Sequence, residues 1–322
     1  MKIKPIVILK IVVTVGLLTL VFTRIDLVKA WTQFQELSWL FVILTTLYYL
    51  GLQWLSCLRW QIVLKTTKHF IPVNSLLNSY LAGMFLNLFL PGAVGGDVYR
   101  VYQVSKHTRD SEVAIASVFL ERFTGLAALS ALGVMGFLPA FKVVGLWDII
   151  LLFLACAAAL VGGVLLIVSP QLLIWTEPFL NKLRLNRLAA RLKKIQGLLR
   201  QFAQHRQALA LSMSLSFLIQ LGIIYYHYLV AQQLKIEISY LELLVFIPII
   251  VVITLLPISV GGLGLKEGLW IYLFSRIGLT AEQALLLSLT MTLLSWLSCL
   301  PGGIILLLNS TGLQQMRREK II

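Results

Sequence analysis

Glu121 and Arg122 stand side by side about eight residues into an otherwise apolar run, Val113 to Phe137. At a rise of about 1.5 Å per residue, that is roughly 12 Å along a helix. An ionised side chain at such depth in hydrocarbon costs about 2.5–3.5 kcal/mol on insertion scales, so it must face the interior and have a partner. Adjacent helical residues point about 100° apart, so the two need different partners. Asp97 and Lys266 are the candidates. In one reading Arg122 and Arg100 hold a phosphate while Asp97 and Glu121 balance or relay charge. In the other, the same residues form a closed ion network that only fixes helix register.

Arg100 and Lys266 each close a second pattern. Residues 90–100 read LPGAVGGDVYR and residues 256–266 read LPISVGGLGLK. Without a gap, Pro91 pairs with Pro257, Gly95 with Gly261, Gly96 with Gly262, and Arg100 with Lys266. Proline ends an incoming helix, and paired glycines permit a tight reversal and close approach of another chain or a head group. Backbone groups freed by the break must be buried in protein or line a hydrated cavity. The outgoing half-helix would begin near Asp97 or Leu263, offering unpaired N–H groups and a positive dipole end to an anion. Gly264 and Glu267 extend the second motif. The alternative is that Gly92 and Gly96 merely let helices pack, as small residues four apart do.

The elements that must position these residues follow from composition. Of 322 residues, 59% are hydrophobic and 12% charged, with mean hydropathy +0.91. That excludes an ordinary soluble domain and predicts an all-α, polytopic membrane protein, a single transmembrane domain over 1–322. Runs long enough to span about 30 Å of hydrocarbon are Ile6 to Phe22, Trp39 to Cys57, Val113 to Phe137, Ile149 to Val168, Ala208 to Val230 and Ala284 to Leu308. Leu76 to Gly96 and Leu243 to Phe274 are broken by Pro and Gly. The first run follows Lys2, Lys4 and Lys10 and is followed by Arg24, Asp26 and Lys29, which reads as an uncleaved span.

With both termini in the cytoplasm, most of the 27 lysines and arginines, Arg59, Lys65, Lys68, Arg100, Lys106 and Arg109 among them, fall inside. Six crossings reproduce this pattern when each broken stretch is a re-entrant hairpin. Eight crossings are the alternative, and they would put the loop with Lys106 and Arg109 outside. The hairpin reading gives two units, 39–137 and 208–308, of opposite orientation, the arrangement from which secondary transporters build midplane sites.

Between the units, 170–207 is basic and amphipathic. Leu185, Leu188, Leu192, Ile195, Leu199 and Phe202 recur at steps of three and four, as in an interfacial helix on anionic head groups. A partner-binding segment is the other option. A net charge of +14 points to anionic lipid rather than nucleic acid. Cys57, Cys156 and Cys299 lie apart in apolar runs, and no histidine pair has metal-ligand spacing, so neither disulfide, metal nor cofactor is signalled. His227, among Tyr225, Tyr226 and Tyr228, reads as an interfacial anchor. Hydrolase, metalloprotease and nucleotide-binding motifs are missing, which favours a transporter over an enzyme.

The segments NLFLPGAVGGDVYRVYQVSK, ASVFLERFTGL and LPISVGGLGLKEG resemble the flippase-like family named for the transmembrane region of lysylphosphatidylglycerol synthase. The resemblance runs from about Lys4 to Leu308. It implies a multi-pass protein of the cytoplasmic membrane whose relatives translocate an aminoacylated phospholipid. Its motif residues correspond to Pro91, Gly95, Gly96, Asp97, Arg100, Glu121, Arg122, Gly261, Gly262, Gly264 and Glu267. This chain is expected to be a stand-alone member without the soluble synthase domain. The function expected is binding and translocation of an anionic phospholipid or lipid-linked head group. Two alternatives are a membrane transferase acting on a lipid-linked sugar, with Asp97 or Glu121 as base, and a non-transporting partner of a glycosyltransferase or lipid-modifying enzyme.

Overall fold

A computed structural model describes residues 37–88, 95–144, 186–255 and 264–308, with scattered positions between 151 and 169. The run Ile6 to Phe22, most of Ile149 to Val168, the motif residues Pro91, Pro257, Gly261 and Gly262, and residues 170–185 of the basic segment lie outside the described residues.

The described elements are helices. In chain order they are α1 (Trp39–Thr66), α2 (Val73–Asn87), α3 (Gly95–Thr108), α4 (Ser111–Val144), α5 (Asn186–Gln204), α6 (Arg206–Gln233), α7 (Tyr240–Thr254), α8 (Leu265–Ser275) and α9 (Ala281–Leu308). Four of them, α1, α4, α6 and α9, are long and apolar enough to cross a membrane. The 15-residue α2 and α7 would each reach only about 22 Å, short of about 30 Å of hydrocarbon.

Local chemistry sets the helix starts. Asp110 Oδ1 accepts from the N–H groups of Glu112 and Val113, each at 3.1 Å, ahead of α4. Ser239 and Glu242 form a reciprocal capping box on α7. Before α8, Gly264 adopts φ +78°, where a side chain would be strained, and Glu267 Oε2 accepts its N–H at 2.7 Å.

Both broken stretches double back. Cys57, Trp60 and Leu64 at the end of α1 share one buried cluster with Ile71 and Leu76 at the start of α2, Val104 near the end of α3, and Val113 and Ala114 at the start of α4. Residues entering through α2 therefore return through α3 to the end they left. The second half repeats this. The end of α6 (Val230, Ala231), the start of α7 (Leu243), the end of α8 (Leu273, Phe274) and the start of α9 (Ala284) converge in another buried cluster.

The two halves run in opposite senses. The Tyr48 hydroxyl donates to Gly222 O at 3.1 Å and Arg59 Nη1 donates to Ser216 Oγ at 2.7 Å, so α1 and α6 are antiparallel neighbours. Exchanging α1–α4 for α6–α9 maps the packing onto itself: α2 lies on α9 as α7 lies on α4. Glycines make both crossings close. A Cβ on Gly133 of α4 would meet the Pro248 side chain, the ninth residue of α7. A Cβ on Gly302 of α9 would run into the backbone carbonyl of Leu81, the ninth residue of α2.

One expectation changes. The first span does not stop at Cys57; α1 continues to Thr66 and buries Arg59 to 4% exposure, so that arginine belongs to the interior and not to a loop. Part of the apolar stripe of α5 also packs on protein. Ile195, Leu199 and Phe202 pack on Val63, Ala116 and Leu120, and Gln201 Nε2 donates to Thr66 O at 2.7 Å. Lys194 Nζ bridges Asp110 (2.6 Å) and Glu112 (3.3 Å), tying α5 to the start of α4. Partial burial pushes the Asp110 carboxyl up, but the Lys194 hydrogen bond and the Val113 N–H outweigh it and hold it below the usual carboxylate range.

Gly302→Val should force α9 off α2, an overpacking cost of about 1–3 kcal/mol, and lower the unfolding temperature in detergent. Gly51→Ala, at a mid-helix site with nothing within 4 Å of the added carbon, should leave it unchanged or slightly raised.

Candidate functional site

Where α1, α3, α4 and α6 meet, charged side chains form a continuous chain. Glu121 on α4 is 1% exposed; one of its oxygens is paired with Arg59 Nη2 and the other accepts from Arg100 Nη2 at 2.8 Å. Arg100 Nη1 reaches Asp97 Oδ1 at 3.2 Å, and the other oxygen of Asp97 is paired with Arg122 Nε. Ser216 Oγ on α6 completes the Arg59 end. Four helices are thus joined by hydrogen bonds that each carry at least one full charge, the strong class of such bonds.

Arg100 also lies against two aromatic rings. Its guanidinium carbon lies 4.2 Å from the Trp60 ring centroid and 4.3 Å from that of Tyr80, cation–π contacts strengthened by exclusion of water. Trp60 is itself fixed, its indole N–H donating to Ser117 Oγ at 3.2 Å. Among the described residues, the network contains three guanidinium groups and two carboxylates, an excess of one positive charge.

A cavity of about 410 Å³ opens beside this chain. Arg59, Arg100, Glu121 and Arg122 line one end, Leu126, Leu129, Ile247 and Val251 form apolar walls, and Tyr49, Tyr80 and His227 add aromatic edges. Arg122 has a side chain 36% exposed, against 5% for Arg59 and Arg100. It is the most exposed member of the charged chain. Among the described residues no cluster of His, Cys, Asp or Glu is suited to a metal ion.

The sequence-named residues are distributed as follows. Asp97, Arg100, Glu121 and Arg122 come together, and the expected Asp97–Arg122 pair is formed. Glu121 does not pair with Lys266. Lys266 Nζ instead donates to Thr292 Oγ1 at 2.8 Å in the second half, while Glu267 caps the N-terminus of α8. Gly96 serves packing: a Cβ there would collide with the Gly83 backbone of α2. Its N–H is taken by Asn87 Oδ1 at 2.6 Å, so the start of α3 is already partly satisfied by the protein. Gly95 begins α3 and Gly264 immediately precedes α8. His227 faces inward. It stacks on Trp270 at 5.9 Å between centroids and lines the cavity.

Sequence reasoning missed Arg59, Gly83 and Asn87. Only the polar period of α1 signalled the first: Gln53, Ser56 and Arg59 are all buried and recur at steps of three.

The pattern of the family described as "Lysylphosphatidylglycerol synthase TM region" matches residues 7–303. The chain belongs to this family. It is 24% identical over 295 residues to a UPF0104 membrane protein of Pyrococcus horikoshii, covering 84% of this chain and 87% of that one. It is also 25% identical over 248 residues to a UPF0104 membrane protein of Methanothermobacter thermautotrophicus, covering 70% and 72%. No solved structure matches it. In this member of the synthase transmembrane-region family, the described motif residues of the first half form or border the charged chain, while Gly264 and Glu267 shape the start of α8.

Removing Glu121 would strand two guanidinium groups without their shared partner. Breaking a buried pair costs about 3–5 kcal/mol, so Glu121→Gln should sharply lower the yield of folded protein and its unfolding temperature in detergent. Arg122→Gln, at the exposed end, should shift the unfolding temperature far less.

Proposed function

We propose that the protein takes the head group of an anionic lipid into this cavity and passes it between membrane leaflets while the acyl tails stay in the bilayer. The observation that carries the reading is the positive excess of the charge chain, which ends at an accessible Arg122 inside an apolar-walled cavity. Guanidinium presents paired donors in a geometry suited to phosphate. Buried charge within a membrane is costly enough that it marks substrate paths more often than packing.

The two short-helix pairs support alternating exposure. In a membrane, α2–α3 and α7–α8 are re-entrant hairpins entering from opposite faces, because each is too short to cross and returns to the end it left. The bundle end formed by α1, α3 and α5 carries Lys65, Lys68, Lys106, Arg109, Lys193 and Lys194. We place it on the cytoplasmic side, with both termini, in the cytoplasmic membrane. The transferase alternative has less support, since the carboxylate oxygens of Asp97 and Glu121 are already engaged by guanidinium groups.

Purified protein in vesicles should accelerate the exchange of fluorescent phosphatidylglycerol between leaflets. Loss of one charge-assisted contact worth about 1.5–3 kcal/mol predicts that Arg122→Gln slows this at least about tenfold, with Arg122→Lys intermediate. Equal rates for wild type and Arg122→Gln, at equal insertion, would overturn the role given to Arg122.

A further inference from the structure

We infer that the head group accepted here is net-anionic and carries hydroxyls, and that a net-cationic, aminoacylated lipid is excluded. The inference rests on the translocation reading and narrows its substrate. It runs against what the family description alone would suggest, because lysylphosphatidylglycerol bears one phosphate and two ammonium groups.

An ammonium in a cavity needs a carboxylate or an open aromatic face. Among the described residues this cavity offers no unengaged carboxylate. Glu121 is the one carboxylate in its lining, and each of its oxygens is engaged by a guanidinium. Asp97 is likewise divided between Arg100 and Arg122. Each aromatic ring of the lining is also engaged by a neighbour on one side. Tyr80 carries Arg100, Tyr49 lies against Tyr226 at 5.4 Å between centroids, and His227 is stacked on Trp270.

The remaining fixed charges repel a cation as well. Arg122 lines the cavity, and Lys266 lies one helical turn before Trp270, the residue on which His227 stacks. A phosphate at Arg122 meets the excess positive charge directly. At the other end, His227 Nδ1 donates to Ile223 O at 2.8 Å. In the neutral ring this fixes the tautomer and leaves Nε2 as an acceptor for a hydroxyl. Gln220 and His227 lie seven residues apart on α6, about 10 Å along its axis, and Gln220 is pinned to Gly125 O beside the Arg122 end. That separation suits a phosphate at one end and a polyol hydroxyl at the other.

Leaflet exchange of three fluorescent lipids in phosphatidylcholine vesicles tests this: phosphatidylglycerol, lysylphosphatidylglycerol and phosphatidic acid. Repulsion between unit charges about 8 Å apart at an effective dielectric of about 20 corresponds to roughly thirtyfold. Phosphatidylglycerol should therefore exchange at least about tenfold faster than the lysyl lipid. His227→Phe, which keeps a stacking ring, should slow phosphatidylglycerol several-fold and leave phosphatidic acid, which lacks the glycerol hydroxyls, unchanged. Lysyl lipid moving as fast as phosphatidylglycerol would overturn the charge assignment while leaving translocation standing. Equal effects of His227→Phe on both anionic lipids would overturn the hydroxyl assignment. No exchange of any lipid above protein-free vesicles would remove both this inference and the function it rests on.

Discussion

A single carboxylate, Glu121, is held in the apolar interior by two guanidinium groups from two other helices, and the first half of the molecule is arranged around that requirement. Arg59 can reach it only because α1 continues as a helix past its apolar run. Arg100 reaches it because α3 starts deep in the bundle, which in turn needs α2 and α3 to touch backbone to backbone at Gly83 and Gly96. Trp60 and Tyr80 then pack against Arg100 and help keep water from competing. Each feature is costly alone, and together they satisfy one another, as buried networks must.

The geometry of the two halves is repeated but the chemistry is not. Helix exchange preserves which elements touch, down to the glycines that seat α4 on α7 and α9 on α2. Yet where the first half has Arg100 bound to Glu121, the described residues of the second have Lys266 bound to the Thr292 hydroxyl. A symmetric pair of charge networks would place two positive excesses within one bundle. Confining the network to one half leaves the opposite wall apolar and aromatic, giving a cavity with a cationic end and an uncharged end.

Much of this could be read from the chain. The hydrophobic runs, the matched LP–VGG motifs and their opposed orientation depend on local pattern, and proline and glycine act locally. The Asp97–Arg122 pair was legible because buried charges must find opposites. The rest depended on three-dimensional proximity. Arg59 looked like a flanking loop charge because positive residues after a span usually are. Gly83 and Gly302 carry no motif, and only the neighbouring helix makes them necessary. The basic stripe of α5 was ambiguous between lipid and protein because both surfaces accept an apolar face; the docking of Leu199 and Phe202 on Val63 and Leu120 assigns that part to protein.

Thiol accessibility in the assembled membrane measures whether the cavity is wet and cationic. In a variant with the native cysteines replaced, a cysteine at Leu126, which lines the cavity beside Gly125, would be treated with anionic and cationic methanethiosulfonate reagents of similar size. The account predicts labelling, faster with the anionic reagent relative to an exposed control site, with the preference lost when Arg122 is changed to Gln. No labelling at Leu126, or faster reaction with the cationic reagent, would contradict it.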